Sequence, residues 1–129
     1  MSKSKIGATL LSSVDSITFT VGAEAANTIN VALQLVDADS ADAAVALNLP
    51  WYLSTDAAGQ TIGVAHSSAP AIGTDGLLVT ELAFLSGRLT FEADGDADID
   101  FLDTGTGTVY LCVVLPTGEL AISGAITHV

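Results

Sequence analysis

A chain of 129 residues, half of them hydrophobic, supplies one domain with ample apolar surface for a core. Fifteen Asp and Glu against three Lys and Arg give a formal net charge of −12, which repels phosphate backbones and anionic bilayers and so argues against nucleic-acid and membrane partners. One cysteine, Cys112, rules out an internal disulfide, and no stretch is long and apolar enough to span a membrane.

The few cations are unevenly placed. Lys3 and Lys5 lie in the first five residues, and Arg88 is the only other one. The opening MSKSKIGATLLSSVDS has a basic tip, but its apolar part, Ile6 to Leu11, is too short for a secretory signal. Synthesis in a reducing cytoplasm is expected, with later incorporation into a larger particle left open. Residues 1–14 read as an arm and 15–129 as the domain.

Beyond the arm, period-two alternation recurs between turn residues. The segment 16–22 (SITFTVG) predicts a short strand. Residues 28–38 predict a longer one, with Ile29, Val31, Leu33 and Leu35 on one face. In 43–54 the aligned set is Val45, Leu47, Leu49, Trp51 and Leu53, and Pro50 predicts an edge position or a bulge. After the turn 55–60, TIGVAH reads as a short strand and 67–76 as a loop. Residues 77–85 (LLVTELAFL) fit a strand better than a helical turn. RLTFEA and ADIDFL flank Asp94-Gly95-Asp96, and TVYLCVVLP with ELAISGAITHV form a hairpin across Pro116-Thr117-Gly118. The pattern predicts an all-β antiparallel sandwich of seven to nine strands.

The stretch 92–101, EADGDADIDF, sets Asp94, Asp96, Asp98 and Asp100 at alternate positions. A three-residue hairpin loop at 94–96 would pair Phe91 with Ile99 and Leu89 with Phe101, putting every apolar side chain on one face. Glu92, Asp98 and Asp100 would then share the other face in mild mutual repulsion. An EF-hand match fails, because the sixth position from Asp94 is Ile99 and the twelfth is Gly105. A looser calcium site from Asp94, Asp96 and Asp98 stays open, but an acidic solvated hairpin is the preferred reading.

LTFEADGDADIDFLDTGTGTVYLCVVLP resembles the end of bacterial immunoglobulin-like domains of the invasin and intimin kind, and INVALQLVDADSADAAVALNLPWYLSTDAAG resembles their earlier half. Those motifs are short and dominated by turns. The resemblance implies an immunoglobulin-like sandwich with Trp51, Tyr110 and Cys112 in its core, Tyr110 standing two residues before Cys112 as in a tyrosine corner. The partner cysteine is missing, so Cys112 is expected to act as a small buried hydrophobe. The whole chain, from VDSITFTVGAEAANTINVALQL to LPTGELAISGAIT, also looks like the small virion proteins that decorate or project from tailed-bacteriophage heads.

Catalytic signatures are missing: there is no G-x-S-x-G elbow, no H-E-x-x-H and no phosphate-binding loop. Neither His66 nor His128 has a second His or Cys at metal-ligand spacing. An enzyme is therefore not expected, and no cofactor is required. The preferred expectation is a structural accessory protein of a virion, made in the host cytoplasm. It would bind the major capsid protein or another virion protein through Lys3, Lys5, Ile6, Leu10 and Leu11, with homo-oligomerisation open. The alternative is an adhesive module that recognises a carbohydrate or surface protein, assisted by calcium. On TVYLCVVLP both the Val109, Leu111, Val113, Leu115 set and the Tyr110, Cys112, Val114 set are apolar, so something must cover the set that does not face the core.

Overall fold

The computed structural model describes residues 14–63, 66–82 and 84–129, and in these the alternating segments form ten strands. They are β1 (Ser16–Val21), β2 (Thr28–Val36), β3 (Asn48–Ser54), β4 (Ala71–Ile72), β5 (Leu77–Leu82), β6 (Ser86–Thr90), β7 (Asp96–Leu102), β8 (Gly107–Val114), β9 (Leu120–Ile122) and β10 (Ile126–His128). One sheet runs β1-β2-β7-β4; the other runs β10-β8-β3-β6-β5, with β9 beside β8 on the same edge as β10. Every pairing is antiparallel.

Alternation decides which side chains meet between the sheets. Ile29, Val31, Leu33 and Leu35 of β2 and Ala97, Ile99 and Phe101 of β7 point inward from one sheet. Leu49, Trp51 and Leu53 of β3, Leu89 of β6 and Val109, Leu111 and Val113 of β8 meet them from the other. Each large apolar side chain so buried contributes about 1.5–3 kcal/mol. The all-β sandwich is as expected, although the strand count is ten. The additions are the two-residue β4 and the division of the last strand into β9 and β10. Val14 is fully buried in the same core, so the domain includes residue 14. The proposed contact residues Lys3, Lys5, Ile6, Leu10 and Leu11 lie outside the described residues.

The relative places of β1, β2 and β7, and of β3, β8 and the β9–β10 edge, match strands A, B, E and C, F, G of an immunoglobulin sandwich. The path between β3 and β7 differs from that plan. The chain first lays β4 against β7, then returns to add the β5–β6 hairpin to β3.

Three local expectations change. The strand predicted from residue 43 starts at Asn48, because 43–47 cross between sheets: Ala43 N–H bonds Leu35 O, while Leu47 O accepts from Phe91 N–H. No single ladder can hold both ends. TIGVAH contributes an isolated bridge, Ser54 with Ile62, rather than a strand, and Val64 and Ala65 lie outside the described residues. Pro50 lies inside β3, opposite Arg88 of β6, and not at an edge. Leu53 N–H points to Leu85 O next to β6, so by alternation the missing N–H of Pro50 faces β8. There the β3–β8 ladder ends at Trp51–Val113, one step before Pro50, as a residue without an N–H requires.

The largest correction concerns the predicted 94–96 hairpin. Its two strands belong to opposite sheets: β6 pairs with β3 and β5, while β7 pairs with β2 and β4. Ile99 therefore faces Val31 and Ile72, not Phe91. Only the turn itself remains, closed by Gly95 N–H to Glu92 O (2.8 Å) and Glu92 N–H to Asp96 O (2.9 Å). Phe91 and Ile99 are both core residues, so burial is satisfied equally well by packing across the sandwich as by pairing within a sheet.

Gly95 makes this corner. Its φ is +81°, and a Cβ there would stand 2.0 Å from the Ala43 carbonyl oxygen. Gly95→Ala is expected to lower stability by about 2–4 kcal/mol through left-handed strain and displacement of the 43–47 crossing. Urea denaturation checks this, and an unchanged midpoint would contradict the assigned corner geometry.

Candidate functional site

The outward face of the first sheet carries the acidic residues that alternate along β7. Their neighbours there are the β2 side chains Asn30, Ala32 and Gln34, opposite Asp100, Asp98 and Asp96 in turn. Asn30 Nδ2 donates to Asp98 Oδ2 (2.7 Å) and to Asp100 Oδ1 (2.8 Å), so one amide stands between two carboxylates that would otherwise repel. Ala32 is too small to fill its place. With Thr18, Thr20, Gln34, Asp96 and Asp98 it lines a polar pocket of about 390 Å³.

Asp98 is committed to structure. Its Oδ1 accepts the backbone N–H of Thr74 (2.8 Å) and of Asp75 (2.7 Å). Burial alone would raise its pKa, yet these donors and Asn30 together hold it below the ordinary carboxylate value. Asp96 behaves oppositely. Its contact with the Asp94 carboxyl, together with burial and the nearby charges of Asp75, Asp94 and Glu92, pushes it up to about 6. Asp75 is also raised, first by burial and then by Glu92.

Of the three aspartates of the proposed calcium site, Asp94 and Asp96 have their carboxyls in contact, and Asp98 is engaged elsewhere. Asp96 gathers with Asp75 and Glu92, whose ligand atoms lie within 4.8 Å of one another, while Asp98 is held by backbone donors and Asp94 caps the turn at Asp96 N–H (3.4 Å). Glu92 in turn accepts from Gly76 N–H. Asp75 could not be found from spacing, since its loop reaches the acidic stretch only through the bonds of Asp75 N–H to Asp98 and Gly76 N–H to Glu92.

A second group lies at the other end of β7. His66 precedes β4, Asp103 follows β7 and His128 ends β10; their ligand atoms also lie within 4.8 Å of one another. The two rings meet edge to face with centroids 4.9 Å apart, and His66 packs on Phe101 in the same manner. His66 and His128 are only 6 % and 1 % exposed, and Nδ1 of each is buried without a hydrogen-bond partner among the described residues. Burial and the neighbouring His128 lower the His66 pKa, against a smaller opposing pull from Asp103. Asp103 is lowered, chiefly by accepting the Gly105 N–H at 3.0 Å. Sequence spacing, which predicted no partner for either histidine, missed this cluster because its members stand 37 and 25 residues apart.

The remaining singled-out residues serve the fold. Trp51 is buried between the sheets, as expected. Cys112 is fully buried but on the outer face of β8, under the 55–60 turn, where its Sγ lies near Gly59. Tyr52 hydroxyl donates to Gly59 O at 2.6 Å and pins that turn down. The chain itself thus covers the middle of the second apolar set on β8. Burial raises the Cys112 thiol pKa, which leaves it unreactive. Tyr110 is half-buried beside it and outside the inter-sheet core, contrary to its expected core position.

No protein-family model matches the chain, and no characterised protein matches it either.

Two predictions follow from the acidic face. Asp96 has a raised folded pKa, so its contribution favours the fold below about pH 4 and is lost as pH rises through about 6. Asp96→Asn is therefore expected to raise Tm by about 2–4 °C at pH 7.5, with the gain vanishing near pH 3.5, as thermal melts across pH would record. Asp98→Ala, which strands the N–H groups of Thr74 and Asp75, is expected to cost about 2–4 kcal/mol in chemical denaturation. A neutral result there would remove Asp98 from its structural role.

Proposed function

We propose that this chain is a structural accessory protein of a tailed-bacteriophage particle, a head decoration or head-fibre protein that acts by binding rather than by chemistry. The observation that supports this reading most is the outer edge of the second sheet. Strand β5 ends that sheet and leaves Leu77, Val79 and Leu82 at 70 %, 56 % and 51 % exposure. An apolar sheet edge of this kind is suited to accept a partner strand or surface.

Charge supports the same reading. Arg88, the only cation beyond residue 5, lies directly across from Val79, with its Nε held by Asn48 Oδ1 at 2.6 Å. The opposite sheet presents the aspartates of β7. A domain with one apolar edge, on which Arg88 and Glu81 offset each other, and one acidic face can dock by the first and keep the second in solvent, where it maintains particle solubility. Repetition on a capsid lattice multiplies weak contacts by avidity. The basic segment 1–13 would add a second point of attachment to the capsid protein.

Copy counting by quantitative mass spectrometry of purified virions tests the particle assignment. Hundreds of copies per particle are expected, and none would overturn it. Paired Leu77→Lys and Val79→Lys substitutions are expected to reduce capsid occupancy at least tenfold while changing Tm by less than about 3 °C. Full occupancy by that variant would take β5 out of the contact.

A further inference from the structure

We propose that His66, Asp103 and His128 form a binding site for a divalent transition-metal ion, with Zn²⁺ as its simplest occupant. The ligand set is two imidazoles and one carboxylate, a donor combination suited to borderline first-row metals and not to calcium or magnesium. The inference is independent of the particle assignment.

His128 Nε2 lies 3.2 Å from Phe101 O, and a carbonyl can only accept, so Nε2 holds the proton. Nδ1 of His128 is then a bare lone pair, fully buried, with no hydrogen-bond donor to meet it among the described residues. This is the arrangement in which a ligating histidine is oriented by donating its other N–H to a backbone carbonyl. Nδ1 of His66 is buried and unpartnered in the same cluster. Leaving two such buried groups unpaired costs free energy that a bound cation would recover.

Asp103 completes the set. Its Oδ1 is fixed by Gly105 N–H (3.0 Å) and Ser67 N–H (3.3 Å), which orients the carboxylate and leaves Oδ2 without a hydrogen bond among the described residues. A tetrahedral ion with bonds near 2.0–2.2 Å holds its ligand atoms about 3.4 Å apart, so small side-chain movements suffice to close the cluster. A cavity of about 200 Å³, lined by His66, Asp103, Thr55, Thr106 and Thr108, adjoins it and gives the ion an entry path and room for a water as fourth ligand.

The three ligands belong to different parts of the sandwich. Asp103 follows β7 of the first sheet, His128 ends β10 of the second, and His66 lies in the long connection between β3 and β4. An ion held by all three would fasten the sheets together at this end, and binding would raise the stability of the whole domain.

The test uses the full-length chain without a histidine tag, stripped with chelator and titrated with Zn²⁺ by calorimetry and thermal melting. One ion per chain is expected, with a rise in Tm reversed by chelator. Co²⁺ should give the visible absorption of a four- or five-coordinate site. His66→Ala and Asp103→Ala, both in loops, are each expected to weaken Zn²⁺ binding at least tenfold and to abolish the Tm rise. Asp75→Asn with Asp96→Asn is expected to leave binding intact. Absence of stoichiometric binding, binding that survives both loop substitutions, or binding removed by the Asp75 and Asp96 pair would each overturn the site.

Discussion

Between Phe91 and Asp96 the chain leaves one sheet and enters the other, and the rest of the molecule depends on that crossing. Glu92 and Asp96 close the turn by backbone bonds, and Gly95, at φ +81°, packs against the Ala43 carbonyl where a second crossing passes. The two crossings, 43–47 and 91–96, lie together and set β3 and β6 in one layer and β2 and β7 in the other. Burial of Leu89 and Phe91 on one side and of Ala97, Ile99 and Phe101 on the other then follows from alternation alone.

The same crossing determines how a chain of net charge −12 tolerates a run of alternating aspartates. In a hairpin, Glu92, Asp98 and Asp100 would face one another or Thr90. On β7, Asp96 and Asp100 face the amides of Gln34 and Asn30, Asn30 links Asp98 to Asp100, and two backbone N–H groups stabilise the charged Asp98 carboxylate. Repulsion is left concentrated at Asp75, Glu92 and Asp96, where it appears as a raised Asp96 pKa. At the far end of β7 the chain assembles the reverse situation, two buried imidazoles beside one carboxylate. One strand thus organises both polar clusters, each from residues distant in sequence.

Much of the architecture was legible from period-two alternation, because in a sandwich burial acts on each strand separately. The inward faces of β2, β3, β7 and β8 were readable in this way. Strand partners were not. Phe91 and Ile99 satisfy burial equally well as neighbours in a sheet or across the core, so hydrophobic pattern could not choose between them. Pro50 misled for a related reason: a missing N–H excludes one side of one ladder, and sequence does not say where that ladder stops. Cys112 was readable as buried, but its face was not, since Val109–Leu115 is apolar on both sides and the 55–60 turn supplies the cover. The histidine cluster had no local signal at all, because its spacing is created by the return of β10 beside β8.

The sandwich carries one apolar edge, one acidic face, a partly exposed carboxylate cluster and a largely buried histidine cluster, and the places of all four follow from which strands are neighbours. Backbone NOEs measured by NMR in the uniformly labelled protein test that arrangement most directly. The account predicts cross-strand contacts of Ile99 with Val31 on one side and Ile72 on the other, together with Leu49 to Leu89 in the opposite sheet. Backbone contacts pairing Ile99 with Phe91 and Leu89 with Phe101 would instead establish a hairpin at Asp94–Asp96, and would contradict the crossing on which both clusters depend.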